Sequence, residues 1–107
     1  MPKLTFIVLS THQMDTVRTF FEAVGLAFVA EKHGAGPKHL AATLAGGVVL
    51  EIYPGFPNRG QLGIQVASLT KTLDRLAALG FSPLIENPRR PIPVVHDPDG
   101  RRVVLSE

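Results

Sequence analysis

Near the middle of the chain, one stretch predicts a buried strand with an acidic residue inside it. It runs from position 48 to 54 as Val-Val-Leu-Glu-Ile-Tyr-Pro, between a Gly-Gly pair and a Pro-Gly pair. Val, Ile and Tyr fit a pleated surface. Strand side chains alternate between faces, so Leu50 and Ile52 point one way and Glu51 the other. A carboxylate on that second face needs water or a partner.

The same kind of patterning predicts the remaining elements. In the first half we expect a strand at 4–9, a helix at 14–24 and strands at 26–30, 38–44 and 48–53. In the second half we expect a strand at 61–66, a helix at 69–79 and strands at 81–85, 93–96 and 102–106. Gly25 and Gly80 each end a predicted helix, so the order repeats.

This repeat predicts an α+β fold of two βαβββ modules. Each module is expected to be a small mixed sheet with one helix on its outer face, and together they form a concave cup. We expect a single domain over 1–107, with module one at about 1–54, a linker at about 54–60 and module two at about 61–107. The linker contains two prolines and two glycines.

Alternation along the strands assigns residues to the concave face, which the helices leave uncovered. The expected ligand pocket mixes apolar, amide and charged side chains, as small-molecule pockets do. Its predicted members are Phe6, Val8, Val49, Glu51, Tyr53, Gln61, Gln65, Arg102 and Val104. The alternative is that this face is a solvated outer surface.

Composition narrows the classes of function. The 107 residues are 45% hydrophobic and 19% charged, with a net charge of +2 and no cysteine, which predicts a globular domain without disulfides or thiolate chemistry. Arg89-Arg90 and Arg101-Arg102 are expected to be solvated loop charges, so nucleic acid is not an expected partner. No apolar run approaches the roughly 20 residues of a membrane span. With no signal-peptide pattern, a cytoplasmic location is expected.

Three segments resemble the vicinal oxygen chelate superfamily, which includes glyoxalase I, extradiol dioxygenases and bleomycin-resistance proteins. The segments are the helix end at 20–26, the strand at 48–53, and the Asp-Pro-Asp-Gly turn at 97–100 with the strand after it. The resemblance covers essentially the whole chain.

The resemblance also implies four metal-ligand positions, which fall on Phe6, Glu51, Gln61 and Val104. Two of these are apolar, so no cofactor is predicted, and a divalent metal is possible but disfavoured; Glu51 and Gln61 are its only ligands if one binds. The four histidines are expected to have surface or satisfied structural roles. The facing of two of them, His39 and His96, is left open.

Two functions remain open at this stage. The first is a metal-free small-molecule-binding protein, similar to glyoxalase or bleomycin-resistance proteins, with a cup around Glu51 and Gln61 for a polar-aromatic or cationic ligand. The alternative is a lyase, isomerase or dioxygenase that uses Glu51 as catalytic base or metal ligand. A structural or regulatory dimer module without a ligand is a third option. Each module contributes one half of the cup, which we call a half-cup. A homodimer is expected, because two half-cups leave open sheet edges.

Overall fold

A computed structural model describes residues 1–89 and 91–107 of the chain. Arg90, part of the predicted basic loop, lies outside the described residues. The first half contains β1 (Phe6–Thr11), α1 (Met14–Val24), β2 (Val29–Glu31), β3 (His39–Thr43) and β4 (Val49–Pro54). The second half contains β5 (Gln61–Gln65), α2 (Leu69–Ala78), β6 (Leu84–Ile85), β7 (Pro93–His96) and β8 (Arg102–Ser106).

The two halves repeat one sheet topology. The first sheet has the order β1-β4-β3-β2 and the second β5-β8-β7-β6. In each, the first strand pairs with the last in parallel and the other pairings are antiparallel. The predicted α+β fold of two βαβββ modules, each a mixed sheet with one helix, is therefore confirmed.

The helices end and pack as the pattern predicts. Gly25 follows α1 with φ 121° and donates its N–H to the carbonyls of Phe21 and Glu22, a conformation that favours glycine. Phe20 and Phe21 are fully buried. They belong to one apolar core that also includes Ile52 of β4 and Leu105 of β8. The helices contact each other, and Phe20 meets Phe81 edge to face at 5.0 Å.

Three predicted strands differ from the observed ones by two or more residues at an end, and three others by one residue. β1 lies at Phe6–Thr11 instead of 4–9, and β2 covers only Val29–Glu31 instead of 26–30. β6 covers only Leu84–Ile85 instead of 81–85. The apolar residues before β2 and β6 lie in irregular segments and pack on the core; they are Leu26, Phe28 and Phe81. Their hydrophobicity therefore indicates burial and does not indicate strand pairing.

Candidate functional site

The concave face of the first sheet carries the residues that alternation assigns to it. Leu50 and Ile52 are buried at 2% and 0% exposure, whereas Val49, Glu51 and Tyr53 are half-buried on the other side of β4. In the parallel register Phe6 lies opposite Val49, and Val8 lies opposite Glu51. Phe6 is 57% exposed and Val8 is half-buried. The predicted facing of β1 and β4 is therefore correct, although a ligand site on this face stays a prediction.

Glu51 has two close polar neighbours on this face. The Tyr53 hydroxyl donates a hydrogen bond to Glu51 Oε2 at 3.3 Å, and His39 Nε2 lies 3.2 Å from the same oxygen. The His39 and Tyr53 rings stack with centroids 4.2 Å apart. Burial and the Glu51 carboxylate raise the pKa of the Tyr53 phenol above its ordinary value of 10.0.

His39 therefore faces the concave side and is a residue that sequence reasoning undervalued. It is only 2% exposed, and in the described part of the chain its Nε2 has no hydrogen-bond partner. The expectation of a surface or satisfied structural role is wrong for this histidine. The sequence offers one signal for this position, which is the alternation of side chains along β3. Once the sheet order is known, the register of β3 with β4 brings His39 beside Tyr53.

Two more titratable side chains complete the first-module cluster, which we define as Glu31, His33, His39 and Glu51. Glu31 ends β2 and pairs in register with His39, and its Oε2 lies 3.4 Å from His39 Nε2. His33 follows in the β2–β3 loop, with Nε2 3.1 Å from the same Glu31 oxygen. Glu31, His33 and His39 each place one ligand atom within 4.8 Å of the others. The sequence prediction included only Glu51 from this cluster.

The concave face of the second sheet has a closed polar network. Arg102 donates two hydrogen bonds to the Glu86 carboxylate, at 2.8 and 2.7 Å, and one to Gln61 Oε1 at 2.7 Å. These hydrogen bonds lower the pKa of Glu86 below 4.5 and raise that of Arg102. His96 is exposed and pairs in register with Arg102, which places it at the edge of this face.

A cavity of about 390 Å³ opens over this network. Its polar wall is formed by Gln61 and Arg102, and its apolar wall by Val94 and Val104. Val94 lies opposite Val104 in register, so the apolar wall is built by two adjacent strands. The cavity lining, all from the second module, is Gln61, Glu86, Asn87, Ile92, Val94, Arg102 and Val104.

The predicted pocket residues are thus distributed over two half-cups. Among residues 1–89 and 91–107, no hydrogen bond or ion pair joins Glu51 to Gln61. Gln65 is exposed at the end of β5. The sequence placed all these side chains on concave faces, but it gave no information on whether the two faces meet.

The four superfamily metal positions do not fit a metal ion in this chain. Phe6 and Val104 carry only hydrocarbon, and Gln61 already accepts from Arg102. Glu51 is then the one position of the four that offers a carboxylate ligand, and its neighbour His39 comes from a different strand. A divalent transition metal needs about three or four protein ligands, so these positions alone cannot hold one.

Arg101 corrects a further expectation. It is 3% exposed rather than a solvated loop charge. Its guanidinium donates to Asp97 Oδ2 at 2.6 Å, to Asp99 Oδ2 at 3.3 Å, and to the backbone carbonyls of Asn58 and Ser10. This residue therefore connects the turn before β8 to β1 and the linker. Although burial opposes it, hydrogen bonds from Gln13 and Thr11 and the Arg101 charge hold the pKa of Asp99 below 3.8.

No helix within the described ranges has the length and hydrophobicity that crossing a membrane requires.

Comparisons with known proteins add the fold relationship. No family model matches the chain, and no curated protein matches it. The fosfomycin resistance protein FosX from Listeria monocytogenes superposes with a TM-score of 0.78 at 19% identity, covering 99% of this chain and 91% of that one. A possible glyoxalase from Bacillus cereus gives 0.70 at 16% identity, covering 100% of both chains.

A third solved structure is TnmS3, an antibiotic binding protein from Streptomyces sp. CB03234. Its TM-score is 0.71 at 21% identity, with 99% of this chain and 95% of that chain covered. Identities in this range establish shared architecture and leave activity open. The resemblance found in the sequence is confirmed at the level of architecture, and the chain has the fold of the vicinal oxygen chelate superfamily.

Proposed function

We propose that this protein binds a small molecule in the half-cup of the second module, without a metal ion at the four superfamily positions. The observation that supports this most directly is the cavity of about 390 Å³, with Gln61 and Arg102 on one wall and Val94 and Val104 on the other. Its volume falls within the roughly 300–1,000 Å³ typical of ligand pockets. Four polar and three apolar residues line it, so it offers both kinds of contact to a ligand.

The chemistry of this wall favours a ligand with an anionic group. Arg102 is held by Glu86 at the cavity edge, and a ligand carboxylate or phosphonate can replace Glu86 because a guanidinium binds two oxygens side by side. One superposable FosX, a mutant protein, contains Mn(II) and 1S,2S-dihydroxypropylphosphonic acid. A cationic ligand, which the sequence analysis left open, has no means of displacing Glu86 from Arg102.

The protein is proposed to act as a homodimer. Phe6, Leu84 and Ile85 are more than half exposed at the outer strands of the two sheets. A second copy would cover this apolar surface and enclose each half-cup. Size-exclusion chromatography with light scattering should give twice the chain mass of 11.5 kDa. A monomer at micromolar concentration contradicts this part of the proposal.

Ligand-dependent melting in the presence of a chelator tests the binding function. The probes are 1S,2S-dihydroxypropylphosphonic acid, benzoate and benzylamine. A ligand at 100 times its Kd stabilises the fold by about 2.7 kcal/mol. This should raise Tm by about ten degrees or more, since about 1 kcal/mol shifts a domain of this size by 4–8 °C. We expect a shift with the phosphonate or the carboxylate and none with the amine.

Three variants locate the binding. Arg102→Gln should abolish the shift, and Glu86→Gln should enlarge it because the guanidinium is released. Lys71→Gln changes a cation on α2, away from the half-cup lining, and serves as the matched control. Absence of any shift at millimolar probe concentration, or an undiminished shift in Arg102→Gln, contradicts the proposal.

One observation favours an enzymatic alternative. Glu51 is half-buried and accepts a hydrogen bond from Tyr53, which is an arrangement that suits a general base. Proton NMR of hydroxyacetone in D₂O, with protein present, would detect abstraction of a carbon-bound proton. Exchange that is lost in Glu51→Gln and retained in Arg102→Gln supports the enzyme. Exchange equal to the protein-free rate rejects it for this class of substrate.

A further inference from the structure

His39 is a buried imidazole whose second nitrogen is unpaired. Its Nδ1 lies 3.3 Å from the Pro37 carbonyl oxygen, which can only accept a hydrogen bond. A hydrogen bond between these two atoms requires the proton on Nδ1, and in the neutral ring Nε2 then presents a lone pair. That atom is fully buried and has no hydrogen-bond partner among the described residues.

The surroundings of Nε2 make this arrangement unfavourable without a positive charge. Glu31 Oε2 lies 3.4 Å away and Glu51 Oε2 lies 3.2 Å away. A lone pair and two carboxylate oxygens repel one another, and water does not reach the buried Nε2 to relieve the repulsion. Either a proton on Nε2 or a metal ion would remove the repulsion.

The geometry favours the metal ion. Neither carboxylate oxygen is placed to accept a hydrogen bond from Nε2, despite being close to it. In a tetrahedral site with bonds of about 2.0–2.1 Å, ligand atoms are about 3.3 Å apart. The separations are 3.1 Å for His33–Glu31 and 3.4 Å for His39–Glu31, and both involve the same oxygen of Glu31. One ligand atom from each of these three residues lies within 4.8 Å of the other two.

Outer contacts also match a metal site. Metal-bound histidines usually donate the other ring N–H to a carbonyl or carboxylate. His39 has this arrangement with the Pro37 carbonyl. Glu31 and His39 come from strands held in register, and His33 comes from the short loop between β2 and β3.

We propose that Glu31, His33 and His39 bind one divalent transition-metal ion, with zinc the best match and a fourth position open to water. Two neutral imidazoles leave the charge of +2 to be balanced by Glu31 and by Glu51, whose Oε2 lies 3.2 Å from His39 Nε2. Imidazole nitrogen disfavours magnesium and calcium, which prefer oxygen ligands. None of these three ligands occupies one of the four superfamily positions, although Glu51 lies beside the site, and the site is within the first module. It is separate from the second-module cavity and does not depend on the binding function proposed for it.

The test uses the full chain without an affinity tag, treated with chelator and desalted. Calorimetric titration with Zn²⁺ should show one equivalent per chain, and Co²⁺ should give the visible absorption of a tetrahedral complex. Tyr53 is the only tyrosine and the sequence has no tryptophan. Because its ring stacks on His39, tyrosine fluorescence should change in the same titration and reach its end point at the same stoichiometry.

Matched histidine variants separate this site from general metal binding. His39→Gln and His33→Ala should each weaken Zn²⁺ binding by about 100-fold or more. Loss of a residue that only hydrogen-bonds to a metal ligand already costs about 10–100-fold in affinity. The His33 side chain is 72% exposed, so His33→Ala should fold even if His39→Gln does not. His12→Ala and His96→Ala remove imidazoles outside the cluster and should bind as the unmodified chain does.

Two outcomes overturn the proposal. One is binding of less than about a tenth of an equivalent at Zn²⁺ concentrations of tens of micromolar. The other is Zn²⁺ binding that neither His33→Ala nor His39→Gln reduces. Nitrogen-15 NMR of the metal-free chain adds a direct measurement. A doubly protonated His39 ring that stays unchanged when Zn²⁺ is added shows that a proton occupies the place assigned to the metal.

Discussion

The two modules place a carboxylate at the same point of the fold and surround it differently. Glu31 ends β2, and Glu86 follows directly after β6, the equivalent strand. Glu86 is held by the Arg102 guanidinium through two hydrogen bonds, so its charge is neutralised. Glu31 lies beside the imidazoles of His33 and His39, and a second carboxylate, Glu51, lies 3.2 Å from His39 Nε2.

The register shows which substitutions produce the difference. Glu51 lies between Val8 and Ala41, and the matching position of β8 is Val104, between Gly63 and Val94. One module therefore has a carboxylate where the other has a methyl-rich side chain. A repeated backbone thus fixes where a side chain points, and its neighbours on adjacent strands decide what it can bind.

A buried polar contact between the modules gives the largest expected effect. Arg101→Met removes a buried guanidinium and leaves Asp97 and Asp99 without their cation. Loss of one partner from a buried pair costs about 3–5 kcal/mol. Urea denaturation should show this as a lower midpoint with little change in slope. Arg102→Met, one residue further on and partly exposed, is the control and should change the midpoint little. Equal losses in both would show that burial does not distinguish them.

A smaller effect concerns the ion pair of the second module. The pKa of Glu86 is lowered in the folded state, so its contribution to stability is present above its unfolded value of 4.5. That contribution is lost as the pH falls through the lower, folded value. Glu86→Gln should therefore reduce the acid dependence of Tm below about pH 4.5, and Arg102→Gln should do the same. If either variant retains the full dependence, the pair does not couple stability to pH.

The smallest effect is a spectroscopic one in the first module. Burial and Glu51 raise the pKa of Tyr53 above 10.0, and the single tyrosine can be titrated by its ultraviolet absorbance. Glu51→Gln should lower this pKa towards the ordinary value. Glu86→Gln, at the other module, should leave it unchanged. A Tyr53 titration insensitive to Glu51→Gln would mean that the two side chains do not interact in solution.

Local patterns were sufficient for much of the fold and for part of the site. The alternation of β4 placed Leu50 and Ile52 in the core and Glu51 on the concave face, as observed. The helix-ending glycines marked the repeat. The same reasoning failed where apolar residues pack without pairing, as with Leu26, and where an arginine in a turn is buried, as with Arg101.

The sequence by itself determined the doubled βαβββ order and the face on which Glu51 lies, because both follow from the periods of strands and helices. Only the tertiary structure decided what Glu51 meets. His39 and Glu31 come from other strands, and their register with β4 depends on sheet order, which no local pattern encodes. Strand β4 therefore contributes Glu51 to a cluster with Glu31, His33 and His39, and this cluster forms only when the sheet is assembled.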